Sequence, residues 1–443
     1  MAIAEGLKTA LNEIRETSIE NGTLYHRYVP EIMDDSDIGS FAAPLLSNPN
    51  LMNEFMDVLV KRIVYTQINV KLFNNPLRQL EGEKMPLGAL GQNIYINPAH
   101  ARKFNVDDFA GLLAKYDSDV KLEYNVLNSD LQYCVTITRA KIKDAFVSWS
   151  SLENFVDGIT QSLYNGCYID RFEMTKGLVS NAYASNQVQV EVISAVNSKA
   201  NAEAFITKAR EIFLTMQTPS SKYNAWAKVG GYGKEVVTWS NPEDIVFLLR
   251  NDVASYIDVS TLSVAFNMDR ASLLGRIIYV PNFDIYDQGE KIYDGSNIIG
   301  MIADRSWFKI KEQELTMDMF YNANSRCWNY YLNSVCMFNY SLFGQAVVFA
   351  TAAPSVPATA LTFNETTPSV ADGAKIILSI TTTPFQANPT ITFTSGTEAK
   401  ATVTKIDDKH VEVTGVDEGT SVITATDGTH SATVTVTVTA AEA

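Results

Sequence analysis

Ser431-Ala-Thr-Val-Thr-Val-Thr-Val-Thr439 decides the fold of the C-terminal part of this 443-residue sequence. Its even-numbered residues, from Ala432 to Val438, are apolar and its odd-numbered residues are Ser or Thr, so the stretch predicts a strand with one buried face. Turn sequences separate further short runs upstream and next to it, at Asp372-Gly373, Ser395-Gly396, Glu418-Gly419 and Asp427-Gly428. Short alternating strands joined by such turns predict an all-β sandwich.

A change in composition marks where this part begins, near Ala350 to Ala360. All 5 Trp, 20 Tyr, 12 Met and 4 Cys lie before it, whereas the 89 residues from Ser355 to Ala443 contain 22 Thr and no Arg. Because each domain needs a core of its own, this shift indicates two separately built parts. We place a linker at 353–358 and the β domain at 359–440.

The overall charge is acidic, with 50 Asp and Glu against 35 Lys and Arg and a formal net charge of −15. Sequence-specific nucleic-acid binding is not expected, because phosphate neutralisation needs clustered Lys and Arg. The apolar runs are too short for a membrane span, and the first residues lack the apolar region of a secretory signal. We therefore expect a soluble protein, made in a cytoplasm, that binds no membrane.

Along the first half, residues 1–48 mix Pro, Gly, Asn and short charged runs, which favours an extended arm. Apolar residues at three-to-four spacing predict a helix over 51–63. Residues 71–142 are typical of β structure with turns, arranged as a long hairpin or extended loop. A capping box at Ser150 to Glu153 predicts the start of a long helix.

The second half of the body mixes both kinds of element. Helices are predicted over 201–216 and 262–274, and the Asn-Pro-Glu-Asp sequence from Asn241 predicts another helix start. A strand is predicted over 277–280, and 298–349 is β-rich and aromatic. Helices and strands without regular alternation indicate an α+β fold.

No motif predicts catalysis or a bound cofactor. Gly230 to Lys234 resembles a phosphate-binding loop, but Lys228 stands where the first Gly is required and Glu235 where Ser or Thr should follow the Lys. The four His residues are scattered, without the neighbours of a catalytic triad. We therefore expect no enzyme, no catalytic residue and no cofactor.

Metal binding is not expected either. Asp34, Asp35 and Asp37 could contact a hard cation, but they lack the Gly and the distal Glu of a calcium loop, so a solvated acidic segment is the preferred interpretation. The cysteines show no Cys-x-x-Cys spacing and are interpreted as buried free thiols. They are Cys134, Cys167, Cys327 and Cys336.

The tail resembles a known module. Val411-Glu-Val-Thr-Gly-Val416 is followed by Gly419-Thr420, Ile423-Thr-Ala-Thr426 and then Ser431 to Val436. This order resembles the bacterial Ig-like domain of group 2, which occurs on adhesins, cell-wall proteins and phage structural proteins, so the module alone does not define the function.

The body resembles the major capsid (head) proteins of small short-tailed phages of Gram-positive hosts, podoviruses of the Picovirinae type. The resemblance rests on Asn74-Asn-Pro-Leu-Arg78, Met85-Pro-Leu-Gly88, Ala145 to Trp149, Leu152 to Val156, Leu163 to Asn165, Leu262 to Arg270, Leu273 to Gly275 and Trp328 to Tyr331. It implies the Hong Kong 97 type capsid fold, with the body at 49–352. The extended loop would be 71–142, the spine helix of the peripheral domain 150–185, and the axial domain 190–300.

The resemblance also implies function and partners. The chain would self-assemble, as hexamers and pentamers, into an icosahedral or prolate head around double-stranded DNA. A scaffolding protein and a portal or connector protein at one vertex would be its partners, and assembly would occur in the host cytoplasm. The Ig-like domain would be displayed outside, free to bind a host-surface ligand. We expect contacts between subunits at Asn75, Pro76, Leu77, Arg78, Pro86, Leu87 and Gly88.

Other readings of the sequence remain open at this point. A phage tail or fibre protein would also carry an Ig-like module, and so would a cell-surface adhesin, although an adhesin would need a secretion signal. A hydrolase with an accessory module would need a carboxylate pair or a triad. The capsid interpretation is preferred, because its resemblance runs through most of the body.

Overall fold

The computed structural model describes residues 5–33, 36–63, 72–86, 91–99, 101, 114–226, 235–257, 276–287 and 290–440. Within these residues, the helices are α1 (Glu5–Glu20), α2 (Tyr25–Tyr28), α3 (Ile38–Ser47), α4 (Pro49–Ile63), α5 (Arg139–Ala145), α6 (Trp149–Ala184), α7 (Lys199–Met216) and α8 (Asn251–Ala254). The strands before the tail are β1 (Gly91–Ile96), β2 (Val120–Asn125), β3 (Ser129–Thr138), β4 (Gln189–Val192), β5 (Ile245–Arg250), β6 (Ile277–Val280), β7 (Ile285–Asp287), β8 (Glu290–Tyr293), β9 (Ile298–Asp304), β10 (Phe308–Asn322), β11 (Cys327–Tyr340) and β12 (Ala346–Ala350). The body is therefore α+β, as expected.

The chain divides into two compact units. The first contains Met1–Gln92, Tyr124–Thr175 and Lys309–Asn339, and the second contains Asn93–Glu123, Lys176–Phe308 and Tyr340–Ala443. Both units draw on segments far apart in sequence, so neither could be delimited from local composition.

The extended conformation expected for residues 1–48 is wrong where the structure describes them. Helix α1 places Leu7, Leu11 and Ile14 on one face at three-to-four spacing, and each is buried to 1% exposure. Gly22 and Pro30 lie between helices, and Gly22 has a φ of +67° just after α1 ends. Residues 5–33 and 36–47 therefore contribute to a packed core.

The core of the first unit is aromatic at its centre. Phe41 lies 5.7 Å from Phe55, 5.9 Å from Phe146 and 5.6 Å from Trp149, measured between ring centroids. The helices pack there with a three-stranded sheet of order β10-β11-β3, in which β11 and β3 are antiparallel. Tyr330 of β11 is fully buried in this core.

Helix α6 confirms the predicted long helix over 150–185, with 36 residues. Its N-cap lies two residues before the predicted one, because Ser148 Oγ accepts a hydrogen bond from Ser151 N at 3.1 Å. Gly158, Gly166 and Gly177 lie within it, so packing must stabilise a helix that its sequence weakens.

The second unit contains a five-stranded sheet of order β4-β12-β9-β5-β6. Helix α7, which confirms the predicted helix over 201–216, packs on it, and Phe205 meets Phe349 edge-on with ring centroids 5.0 Å apart. Every residue of β9 and β12 is buried. The predicted strand over 277–280 is β6, and the β-rich end expected over 298–349 is also confirmed.

The helix predicted to start at Asn241 is wrong. Residues Pro242–Asp244 form a single 3-10 turn, and the buried strand β5 follows at once. The five apolar residues from Ile245 to Leu249 form a central strand that is covered on both faces, and this burial overrides the local helix signal. The helix predicted over 262–274 lies outside the described residues.

The tail is a β-sandwich, as predicted. Its strands are β13 (Ala360–Phe363), β14 (Ser369–Ala371), β15 (Lys375–Thr383), β16 (Thr392–Ser395), β17 (Ala401–Lys405), β18 (His410–Gly415), β19 (Gly419–Thr426) and β20 (Ser431–Thr439). They form two four-stranded sheets, of order β13-β15-β18-β17 and β14-β20-β19-β16.

The sandwich has a core of its own, drawn from Ala358 to Val438. On β20, Val434, Val436 and Val438 are buried while the alternating threonines are exposed, which confirms the period of two. Gly415 permits a close approach between the sheets, because a Cβ there would lie 2.6 Å from the Ala371 carbonyl oxygen.

Of the four free thiols predicted to be buried, three are buried and one is exposed. Cys167, Cys327 and Cys336 are buried, but Cys134 is exposed on β3, so the prediction for Cys134 is wrong. Its alternate-residue position on this strand places its side chain opposite to the face that packs on the core through Tyr133 and Ile137.

The separate core of the tail predicts that the fragment 353–443 folds alone. In this fragment, V436A should lower the free energy of unfolding by about 2 kcal/mol, since Val436 is fully buried. The neighbouring exposed variant T435A should change it by less than about 0.5 kcal/mol. Urea denaturation followed by circular dichroism measures both, and equal effects of the two variants would contradict the burial pattern.

Candidate assembly surface

The segment from Asn75 to Arg78 begins a 3-10 turn over Pro76–Leu80. The Asn75 side chain caps the turn, accepting a hydrogen bond from Leu77 N at 2.9 Å. Asn75 and Leu77 are buried, at 6% and 0% exposure, whereas Pro76 and Arg78 are exposed. Asn75 and Leu77 therefore pack mainly within their own subunit.

Residues 81–86 run alongside β10. Gly82 N donates to the Ile310 carbonyl at 2.8 Å, Met85 N donates to the Glu312 carbonyl at 2.8 Å, and Gln313 Nε2 donates to the Pro86 carbonyl at 3.1 Å. Pro86 is exposed, while Leu87 and Gly88 lie outside the described residues. Contact with a neighbouring subunit stays a prediction for all seven residues, and among those described Pro76, Arg78 and Pro86 have exposed side chains.

Strands β1 and β2 form a two-stranded sheet inside the predicted extended loop. Its inward face is polar and fixed to the second unit. The Glu123 carboxylate accepts hydrogen bonds from Ser341 Oγ at 2.8 Å and from Leu342 N at 3.0 Å. The Tyr95 ring lies 5.6 Å from the Phe343 ring, between centroids, and the Tyr95 hydroxyl donates to the Val237 carbonyl.

The outward face of the same hairpin is apolar. Ile94 and Ile96 of β1 and Val120 and Leu122 of β2 have exposed fractions between 44% and 60%. A soluble monomer normally places such residues inward and its polar residues outward. These four exposed apolar side chains therefore form a candidate interaction surface.

A buried ion cluster lies in the first unit, close to the segment from Asn75 to Arg78. Arg171 of α6 is 7% exposed, and its Nη2 lies 2.7 Å from Glu312 Oε2 and donates to Ser334 Oγ at 3.2 Å. Arg171 Nη1 lies 3.8 Å from Glu81 Oε2, and Lys84 Nζ lies 2.7 Å from Glu312 Oε1. The cluster therefore joins α6, β10, β11 and the segment at 81–84.

The two carboxylates of this cluster differ in their acidity. Burial favours the neutral form of Glu312, but hydrogen bonds from Lys84 and Arg171 outweigh it and hold its pKa below the ordinary value. At Glu81, burial is the largest influence and raises the pKa, although Arg171 and Arg78 oppose it. Glu312 is therefore the carboxylate that keeps its charge most firmly.

Sequence reasoning did not find this cluster, although a signal was present. Leu163, Cys167 and Arg171 follow one another at intervals of four, which places an Arg on the buried stripe of a helix. A charged residue on such a stripe indicates a buried ion pair. Its partner Glu312 lies 141 positions away, and nothing local in the sequence predicts that pairing.

The remaining motifs contribute no site. Asp34, Asp35 and residues 227–234 of the glycine-rich loop lie outside the described residues, and so do His100 and the helix 262–274. In the described part of the chain, no group of three or more His, Cys, Asp or Glu side chains is arranged to hold a metal ion. Nor does any helix there combine the length and apolar character needed to cross a membrane.

Comparison with protein families gives the class of protein as a phage capsid protein. The model of the Phi29-like phage major capsid protein family matches residues 11–350, and that of the group 2 bacterial Ig-like domain matches residues 357–438. The chain belongs to the Phi29-like major capsid protein family and serves as the major capsid protein of a phage head.

Characterised relatives agree with this assignment. The chain is 26% identical over 345 residues to the major capsid protein of Bacillus phage B103, covering 77% of this chain and 72% of the relative. It is 25% identical over 347 residues to the major capsid protein of Streptococcus phage Cp-1, covering 75% and 91%. The capsid structure of Staphylococcus phage Andhra superposes with a TM-score of 0.51 at 17% identity, over 63% of this chain and 85% of that one, a likeness of fold.

The ion cluster predicts a pH-dependent effect of Arg171. R171M should lower the free energy of unfolding by about 3 kcal/mol at neutral pH, because it leaves buried carboxylates without their partner. The exposed variant K143M, which also removes one positive charge, should change it by less than about 0.5 kcal/mol.

The pKa of Glu312 determines how the effect of R171M on the free energy of unfolding changes with pH. Its pKa is depressed in the folded state, so its contribution is present above the unfolded-state pKa and is lost as pH falls through the folded-state value. The difference between R171M and the unsubstituted chain should therefore shrink between neutral pH and about pH 3. Denaturation curves at both pH values measure it, and a difference that does not vary with pH would contradict the role given to the pair.

Proposed function

We propose that the body adopts the Hong Kong 97 type capsid fold and that copies of it associate as hexamers and pentamers into a closed icosahedral or prolate head around double-stranded DNA. In this assignment, α6 is the spine helix, and the hairpin of β1 and β2 belongs to the extended loop at 71–142. Helix α7 with the five-stranded sheet belongs to the axial domain at 190–300. The similarity to a phage capsid structure supports the assignment at the level of overall fold.

The hairpin carries the proposal for assembly. Its polar face is hydrogen-bonded to its own subunit and its apolar face points to solvent. This is the reverse of the arrangement in a soluble monomer, where the apolar face of a sheet points inward. We assign the apolar face to contact with a neighbouring subunit, which removes Ile94, Ile96, Val120 and Leu122 from water. Since each of these four side chains is already about half covered, burying the rest of it stabilises the contact by about 1 kcal/mol. The same stabilisation recurs at every copy in a closed symmetric shell.

The mode of action proposed is association alone, with no catalytic step. A scaffolding protein would limit the size of the growing shell, and a portal or connector protein would occupy one vertex. Assembly would take place in the host cytoplasm. These partners are proposed from the resemblance to the capsid proteins of short-tailed phages.

The Ig-like tail is proposed to lie on the outer surface of the head. Residues 355–443 carry 4 Lys against 10 Asp and Glu, a formal charge of −6, and negative charge is unfavourable beside packaged DNA. A tail on the outside would be free to contact a ligand on the host surface.

Electron microscopy tests the assembly proposal directly. The chain produced together with its scaffolding protein should yield closed shells in negative stain and a fast-sedimenting fraction. Monomers alone under these conditions would refute it.

The hairpin surface gives a sharper test. The double variant I94D/L122D should leave the unassembled chain folded, since both side chains are exposed, and should abolish shell formation because buried carboxylates at a contact are unfavourable. The conservative double variant I94V/L122I, which keeps the face apolar, should assemble. Shells formed by I94D/L122D in normal yield would remove this face from the contact.

The independence of the tail gives another prediction. Truncation after Thr351 should still permit assembly, because the core of the sandwich uses none of the body's described residues. Shell yield and particle diameter by electron microscopy compare the truncated and complete chains. Loss of all shells on truncation would show that the tail is needed for the shell itself.

A further inference from the structure

The C-terminal end of helix α6, which lies in the second unit, closes with a left-handed residue. Asn186 has a φ of +52°, and its N–H donates to the Tyr183 carbonyl at 3.0 Å. The Gln187 N–H donates to the Ala182 carbonyl at 2.8 Å. These two bonds form a Schellman motif, in which the left-handed position is usually Gly because Gly has no Cβ. Since Gly would cap α6 at a lower conformational cost, the Asn side chain needs a separate explanation.

The side chain of Asn186 contacts the Ig-like tail. Its Nδ2 donates to the Gln386 carbonyl at 2.8 Å, and the residue is 9% exposed. Three residues earlier, the Tyr183 hydroxyl donates to the Ala352 carbonyl at 2.8 Å, just before the linker at 353–358. Burial raises the pKa of Tyr183, so its hydroxyl stays protonated and able to donate. Both acceptors are main-chain carbonyls, so these bonds recognise the path of the backbone.

The linker is held at both of its ends. On the side of the body, Thr351 N donates to the Asn297 carbonyl at 2.9 Å, and Thr351 Oγ1 donates to Asn297 Oδ1 at 2.9 Å. On the side of the tail, Asn388 Nδ2 donates to the Pro354 carbonyl at 2.7 Å, and Val356 N donates to Asn388 Oδ1 at 2.8 Å. Pro354 also has a fixed φ. This differs from the Gly- and Ser-rich linkers that allow two domains to move independently.

Gln386 and Asn388 lie on one loop of the sandwich, residues 384–391, between β15 and β16. The loop contacts the end of α6 through Gln386 and the linker through Asn388. We propose that this loop is a docking surface for the end of α6, and that it holds the Ig-like domain in one fixed orientation on its own body. Asn186 and Tyr183 are the positioning residues of the contact.

This docking is a property of the single chain and goes beyond the proposed assembly. In the proposed shell, its consequence is that every copy carries the Ig-like domain in the same orientation relative to its body. A ligand on the host surface would then meet a regular array of domains, and the domains would not sample many orientations on free tethers.

Distances between pairs of spin labels, measured by pulsed electron paramagnetic resonance in the full-length chain, test the docking. C134S removes the exposed thiol, since the other three are buried. One label pair, A204C/T435C, joins α7 to the tail, and the reference pair, T404C/T435C, lies within the sandwich; all three positions are exposed. The distance distribution of the first pair should be as narrow as that of the reference pair. A broad first distribution would overturn the inference, whether or not the chain forms shells.

The double variant N186G/Y183F tests the two positioning residues. N186G keeps the left-handed cap and Y183F keeps the aromatic ring, so the melting curve of the body should shift little. The width of the first distribution should increase by about 10 Å, the reach of the three-residue segment 352–354 that is released between the two domains.

Y133F is the matched control for these donors. It removes a tyrosine hydroxyl that donates to Asp170 Oδ2 at 2.8 Å within the first unit, and it should leave the distribution of A204C/T435C narrow. An unchanged width in N186G/Y183F, or equal broadening in Y133F, would overturn the assignment of Asn186 and Tyr183.

Discussion

The buried guanidinium of Arg171 is the constraint on which the first unit depends. A charge removed from water is tolerated only when other groups replace its hydration, and here Glu312, Ser334 and Glu81 do so. These partners come from β10, β11 and the segment before β1, so the ion cluster is satisfied in one arrangement of these elements. Apolar packing would accept several arrangements, and the charge selects among them.

The hairpin of β1 and β2 has the opposite distribution of polar and apolar side chains. Its polar side chains reach inward to fixed hydrogen-bonding groups, and its apolar side chains remain in contact with water. In an isolated monomer this arrangement is a liability for aggregation. In the assembly proposed above it contributes to ordered association, because the same face is repeated on every copy.

Elements with a strong local pattern could be predicted from the sequence. The alternation in Ser431–Thr439 and the apolar spacing in α4, α6 and α7 were sufficient for the strand and the helices. The prediction failed where burial in the tertiary structure decided the outcome: Ile245 to Leu249 became a central strand despite a helix signal before it. In α1 the Pro, Gly and Asn residues nearby suggested an extended arm, although Leu7, Leu11 and Ile14 have helical spacing.

The candidate site was predictable only in part, for a similar reason. Pro76 and Arg78 are exposed as a contact requires, but Leu77 is turned inward with Leu80, because residues three apart lie on one side of a 3-10 turn. Asn75 is buried as the cap of this turn. The pairing of Arg171 with Glu312 joins residues far apart in the chain, and periodicity carries no information about such partners.

The Ig-like tail, with its own core from Ala358 to Val438, has a consequence for how such a protein can change over time. A module whose core includes none of the body's described residues can be acquired, exchanged or lost by recombination with little change in the body. The exposed turn residues Gly428 and Thr429 are a point where a foreign peptide can be inserted at little cost to folding. The same feature makes this capsid protein a scaffold on which multivalent display can be engineered.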